Sequence, residues 1–225
     1  MSTVLVIGAS RGIGLEFVRQ YLADGARVIA TARDDAGLQR LKALGAKALR
    51  VDVAEPASIS GLAWLLDGEE IDLALYVAGV FPPGDALTPP TREVFDQAMH
   101  TNVLGAMQAI PQVAPMVEAA RGGRGCFVFI SSAMAQIDGV ENSHGWVYRA
   151  SKASLNMAVA SAQHDYPGAI LVALSPGWVQ TDMGGAGAPL TVAQSVTSMR
   201  QTISGLGPQH KGAFLDHDGS RFATW

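Results

Sequence analysis

The sequence predicts an α/β protein built on a doubly wound parallel sheet of about seven strands, with helices on both faces in three α/β/α layers. Short β-branched runs alternate with longer amphipathic segments along the whole chain, and a glycine-rich turn separates the first strand from the first helix. No internal repeat, low-complexity tract or long linker interrupts the pattern, so residues 1–225 are expected to form one domain. Strict alternation implies parallel strands joined by right-handed crossovers. Ligands of such sheets bind outside the carboxyl ends of the strands, near the point where strand order reverses.

The strands are expected over Thr3 to Ile7, Arg27 to Thr31, Lys47 to Val51, Leu73 to Val77, Phe127 to Ile130, Ile170 to Leu174 and Gly212 to Leu215. Each is a short, nearly continuous apolar run, the signature of a strand buried on both faces. Helical spacing falls between them, over Gly14 to Ala23, Asp35 to Leu44, Ala57 to Leu66, Arg92 to Glu118, Val147 to Gln163 and Val192 to Ile203. The segment from Phe81 to Pro90, rich in proline, reads as a surface loop.

A hydrophobic content of 48% allows a sizeable core. The formal charge of −4 and the scatter of Arg and Lys without a basic stripe argue against a nucleic-acid surface. Cys126 is the only cysteine, so no intrachain disulfide can form, as suits a reducing compartment. No basic leader precedes the first apolar stretch and no run approaches the length of a membrane span, so a soluble, cytoplasmic protein is expected. The five histidines and the carboxylates show no ligand spacing, so no metal is expected, and His144 reads as a surface residue.

The turn Gly8-Ala9-Ser10-Arg11-Gly12-Ile13-Gly14 stands between a strand and a helix, the context a dinucleotide site requires. Gly8 permits a tight exit, Gly12 lets backbone approach a pyrophosphate, and Gly14 lets helix pack on strand. Arg33 follows the second strand, where an acidic residue would otherwise take the ribose hydroxyls. With Arg11 it offers two guanidiniums to a 2′-phosphate, which favours NADP(H) over NAD(H). The alternative is a solvated member of the Arg33-Asp34-Asp35 cluster. Asp52, after the third strand, is placed to accept from an adenine amino group or to cap a helix.

Tyr148 and Lys152 lie four residues apart, on one face of a helix. A fixed cation favours a phenolate and would bring the tyrosine toward the working range for proton transfer. Alone, such a pair is more often a surface pair.

Together with Val51-Asp52-Val53, Ala78-Gly79, Thr101-Asn102-Val103, Ile130-Ser131-Ser132 and the run from Pro176 to Thr181, these residues resemble the short-chain dehydrogenase/reductase family over nearly the whole chain. The 148–156 sequence, the long gap from Ser132 to Tyr148 and the closing 214–219 segment make it most similar to the C-factor and Sniffer-type carbonyl reductases. The resemblance implies a Rossmann-type fold and the interconversion of a carbonyl compound and its alcohol by hydride transfer. In that scheme Tyr148 is the proton donor or acceptor. Lys152 holds the nicotinamide ribose and lowers the tyrosine pKa, and Ser132 bonds the substrate oxygen. Asn102 kinks its helix and holds a relay water. Gly8, Ser10, Arg11, Gly12, Ile13 and Gly14 belong to the cofactor site, as do Arg33, Asp52, Val53, Ala78, Gly79, Pro176 and Gly177. Val179, by its backbone, and Thr181, by its hydroxyl, bind the carboxamide.

Adjacent Ser131 competes with Ser132, but strand alternation aims the two oppositely, so one serves. The family's usual Asn-Asn-Ala-Gly is replaced by Tyr76-Val77-Ala78-Gly79, which leaves the local hydrogen bonding open without touching the catalytic set. The substrate pocket is expected from loops 133–147 and 177–190 with Phe81, Trp178 and Met183, and its apolar walls suggest an apolar carbonyl or alcohol. Gly184 to Gly187 reads as a mobile lid or an ordinary loop. The resemblance also implies a homodimer or homotetramer built on the helices from Arg92 to Glu118 and Val147 to Gln163. Because C-factor relatives include signalling proteins, a cofactor-binding regulatory protein is the alternative function.

Overall fold

Val4 and Val6 of the first strand enter one apolar cluster and Leu5 and Ile7 enter another. That period-two division organises the molecule, because each strand feeds a core on both faces of the sheet. The computed structural model describes residues 2–120, 122–123 and 125–225. Met1, Arg121 and Arg124, inside the expected 1–225 domain, lie outside the described residues.

Seven parallel strands run in the order β3-β2-β1-β4-β5-β6-β7. They are β1 (Thr3–Ile7), β2 (Arg27–Ala32), β3 (Lys47–Arg50), β4 (Leu73–Tyr76), β5 (Cys126–Ile130), β6 (Ile170–Leu174) and β7 (Phe214–Leu215). β1 pairs with both β2 and β4, so the order reverses there and a crevice opens at the carboxyl ends of these strands. α1 (Gly12–Ala23), α2 (Asp35–Ala43) and α8 (Val192–Ser204) supply Phe17, Leu41 and Met199 to the cluster on one face. α6 (Gly105–Glu118) and α7 (Trp146–Ala162) supply Val113 and Leu155 to the other.

Local chemistry sets the ends. The Asp34 carboxylate accepts from Gly37 N at 2.7 Å and caps α2, while Thr191 and Gln194 form a capping box on α8. Gly212 has φ +69, outside strand geometry, so β7 begins later than expected.

Two expected helices are broken. Ala57 to Leu66 resolves into two single turns, α3 (Pro56–Ile59) and α4 (Leu62–Leu65), separated at Gly61, whose helix propensity is poor. Arg92 to Glu118 resolves into α5 (Arg92–Met99), a π-helical turn (His100–Leu104) and α6. One inserted residue turns the following face by about 100°, a phase change that apolar spacing on either side does not locate. Among the described residues no helix is long and apolar enough to cross a membrane.

Candidate active site

A cleft of about 480 Å³ opens at the reversal point between β1 and β4. One wall is the turn after β1, where Gly8, Ser10, Arg11, Gly12, Ile13 and Gly14 all face the cavity. The glycines are dictated by space. A Cβ on Gly8, whose φ is +87, would meet Ala78 N at 2.6 Å, and one on Gly14 would meet Gly8 O at 2.3 Å. With no Cβ at these glycines, the backbone at the amino end of α1 stands close beside the cleft, an arrangement that suits an anion.

Arg33, Asp52 and Val53 line the far end. The neighbours of Arg33 are committed elsewhere, Asp34 to the α2 cap and Asp35 to Arg50. The exposed Arg33 guanidinium is therefore available to a ligand. Arg11, also exposed, pairs with Asp182 at 2.8 Å and so bridges the glycine turn to the segment after β6. The Asp52 carboxylate accepts from Ala54 N at 3.0 Å, a turn contact that leaves it on the cleft wall.

The other end belongs to α7. Tyr148 and Lys152 both line the cleft and both are nearly buried, at 7% and 3% exposure. Lys152 Nζ donates to the Ile130 carbonyl at 2.7 Å and stands 5.7 Å from the Tyr148 ring centroid. Burial pushes the Lys152 ammonium down to about 8. Burial likewise pushes the Tyr148 phenol up to about 12, against the opposing effect of the neighbouring Ser132 hydroxyl. The expected lowering of the tyrosine pKa by Lys152 is thus corrected. Desolvation dominates, Lys152 is bonded to a backbone carbonyl, and the hydroxyl that favours phenolate is that of Ser132.

The two serines diverge as alternation requires. Ser131 Oγ is buried and donates to Asn156 Oδ1 at 2.6 Å, whereas the Ser132 hydroxyl accepts from Met134 N at 3.1 Å on the side that influences Tyr148. Asn102 lies in the π-helical turn, fully buried behind the wall. Its amide accepts from Val80 N at 2.8 Å and donates to Val80 O and to Ser151 Oγ, each at 2.9 Å. A Cβ on Gly79 would lie 3.4 Å from Asn102 Oδ1 and 3.5 Å from Lys152 Nζ, so asparagine, lysine and the Ala78-Gly79 edge of the cleft converge. Pro176 and Thr181 line the cavity, while Gly177 and Val179 form the loop behind them. Val179 bridges to Leu190 there.

Sequence reasoning missed Ile130, whose carbonyl anchors the lysine, and Ser151, whose hydroxyl donates to Tyr148 O at 2.8 Å. The Tyr148 to Lys152 motif contained Ser151 and is the signal that could have found it; a backbone acceptor leaves no trace in sequence. On the substrate side Phe81 stands 4.8 Å from the Tyr148 ring and 5.6 Å from the exposed His144 ring. The Gly184 to Gly187 segment is tied down by Trp178 Nε1 donating to Gly184 O at 2.8 Å and by Gly185 N donating to Thr181 O at 2.9 Å. Among the described residues no group of three His, Cys, Asp or Glu side chains clusters to hold a metal.

The family model described as short chain dehydrogenase matches residues 2–188, which carry the glycine turn, Asn102, Ser132, Tyr148 and Lys152. The chain belongs to the short-chain dehydrogenase/reductase family. It is an NAD(P)-dependent oxidoreductase acting on CH–OH and C=O groups, of the C-factor and Sniffer type. C-signal of Myxococcus xanthus is 38% identical over 152 residues, covering 67% of this chain and 90% of that protein. Among solved structures, NADPH-bound carbonyl reductase from chicken fatty liver is 32% identical with a TM-score of 0.90, covering 100% of this chain and 99% of that one. Carbonyl reductase Sniffer of D. melanogaster is 27% identical with a TM-score of 0.90 and full coverage of both chains. For a short-chain dehydrogenase/reductase the cleft suits its cofactor: a glycine-rich turn for phosphates, the exposed Arg33 at one end, and Tyr148 with Lys152 at the other, Ser132 lying outside the lining.

Proposed function

We propose that this short-chain dehydrogenase/reductase interconverts an apolar ketone or aldehyde and its alcohol, using NADP(H) in preference to NAD(H). The observation that carries the reading is the pair of nearly buried side chains on the cleft wall, Tyr148 with the Lys152 ammonium 5.7 Å from its ring centroid.

Gly8 to Gly14 would hold the pyrophosphate, Arg33 the 2′-phosphate, Asp52 the adenine edge, and Thr181 with the Val179 backbone the carboxamide. When bound, the cofactor supplies the hydride. Tyr148, kept protonated by burial, gives its hydroxyl proton to the substrate oxygen as negative charge develops there. Ser132 donates a second hydrogen bond to that oxygen, an interaction worth most in the transition state. Lys152, with its pKa brought near neutrality, restores the tyrosine proton, and Asn102 holds the helix geometry around it. Phe81 beside the Tyr148 ring gives the substrate side its apolar wall.

Purified protein should oxidise NADPH, followed by its absorbance, when apolar aldehydes or ketones are added, and NADH much more slowly. No carbonyl-dependent oxidation across a broad panel would remove the reading. The similarity to C-signal favours a second reading, a cofactor-binding signalling protein. That reading predicts a Tyr148→Phe protein that binds NADPH and keeps its biological effect. Exposed Phe95, Met107 and Met157 on α5, α6 and α7 support assembly as a homodimer or homotetramer, which sedimentation tests.

A further inference from the structure

Tyr76 occupies a position where the family usually carries an amide, and its side chain does something an asparagine is too short to do. It leaves the end of β4, is fully buried, stacks on Phe129 at 6.0 Å, and donates its hydroxyl to the Thr101 carbonyl at 2.8 Å. Thr101 belongs to the π-helical turn. In an α-helix its carbonyl would be taken by Gly105 N, four residues on. Here Gly105 N donates to the His100 carbonyl instead, five residues back. The phenol supplies the donor that the π register withdraws from Thr101. Gly105 leaves room for it, since a Cβ there would lie 2.5 Å from the Tyr76 hydroxyl.

The competition between the two registers has a direct consequence for the site. An α register and a π register differ by one residue, so Asn102 and the residues before it change their facing relative to α6 when one replaces the other. Only the observed facing lets the Asn102 amide hold both backbone groups of Val80 and the Ser151 hydroxyl on the helix that carries Tyr148 and Lys152. A buried carbonyl left without a donor is costly, so removing the phenol oxygen tilts the balance toward the α register, where Gly105 N satisfies Thr101.

We infer that Tyr76 is a positioning residue that selects the π register at Thr101, through its hydroxyl bond to that carbonyl, and thereby sets Asn102 against Val80 and Ser151. The consequence for turnover rests on the proposed carbonyl reduction; the register selection does not.

The test compares wild type with Tyr76→Phe, which keeps the ring and its stack. Amide exchange at residues 102 to 106 is expected to change about tenfold or more in the variant as the bonding partners shift, with α8 unchanged. NADPH affinity and the KM for a carbonyl substrate are expected to stay within about threefold, while kcat falls about ten- to hundredfold. In an Asn102→Ala background the same change should add little to the loss of kcat, because both act through one contact. Tyr76→4-aminophenylalanine, which restores a para N–H donor, should return exchange and kcat toward wild type. Unchanged exchange at 102 to 106, or a Tyr76→Phe kcat equal to wild type, overturns the inference. A Tyr76→Phe chain that does not fold also counts against it, since the bond would then belong to stability alone. If wild type turns over no carbonyl, the functional reading falls and amide exchange still decides the register.

Discussion

Lys152 donates its ammonium to the main-chain carbonyl of Ile130 at 2.7 Å, so the buried charge is anchored to the end of β5. Two opposed proton affinities result in one cleft: burial brings the lysine down to about 8 and pushes Tyr148 up to about 12. Each favours its neutral form, which stores a proton on the phenol and makes the lysine ready to exchange one.

The lysine should be visible in stability before any turnover is measured. Its folded pKa lies below its unfolded value of 10.5, so the fold is penalised as pH falls from that value through about 8. Stability should therefore rise between those pH values. In Lys152→Met this rise should disappear, and the protein at neutral pH should gain on the order of 1–3 kcal/mol in denaturant unfolding while losing activity. A wild-type stability that is flat over the window would contradict the buried-lysine account.

Tyr148→Phe should lower carbonyl-dependent NADPH oxidation by about a thousandfold or more while leaving NADPH binding intact, because only a proton donor is removed. Ser132→Ala should cost about a hundredfold, the loss of one hydrogen-bond donor to the developing charge. Steady-state kinetics with fluorescence titration of NADPH separates the two effects from cofactor loss.

Arg33→Ala should raise the KM for NADPH about ten- to hundredfold and leave that for NADH nearly unchanged, since it removes a charge-assisted bond available only to the 2′-phosphate. Equal losses with both cofactors would return Arg33 to the solvated-surface reading.

Asp182→Asn releases Arg11 from its exposed partner. An exposed pair contributes about 0–1 kcal/mol, so the melting temperature should hardly move. The free guanidinium should bind NADPH more tightly at low salt, with the gain fading as ionic strength rises. Isothermal titration at two salt concentrations checks the direction.

Gly14→Ala places a methyl 2.3 Å from Gly8 O, which forces the helix off the strand it follows. Thermal unfolding should show a loss of about 1–3 kcal/mol, and NADPH affinity should fall with it.

The alternation of apolar strand and amphipathic helix made the sheet legible, and the order of the glycine turn, Asn102, Ser132 and the Tyr148–Lys152 pair made the site legible. Both are local: a strand buried on two faces and a phosphate-binding turn impose composition on contiguous residues. The apolar pattern alone did not locate the break at Gly61 or the π register at His100–Leu104, although the resemblance implied a kink at Asn102. The sign of the Tyr148 shift was hidden for another reason. Spacing puts a cation near a phenol, but burial and the carbonyl that claims the cation are properties of the packed chain.

The amino-acid sequence alone thus determined the order of elements and the family resemblance, and it named the candidate reacting groups, since each is written in neighbouring residues. Whether Arg33 is exposed, where the two serine hydroxyls bond, how Tyr76 replaces an amide by holding Thr101, and which way each pKa moves were settled by packing. Those outcomes depend on distance and desolvation between residues far apart in the chain, and neither quantity exists until the sheet has brought them together.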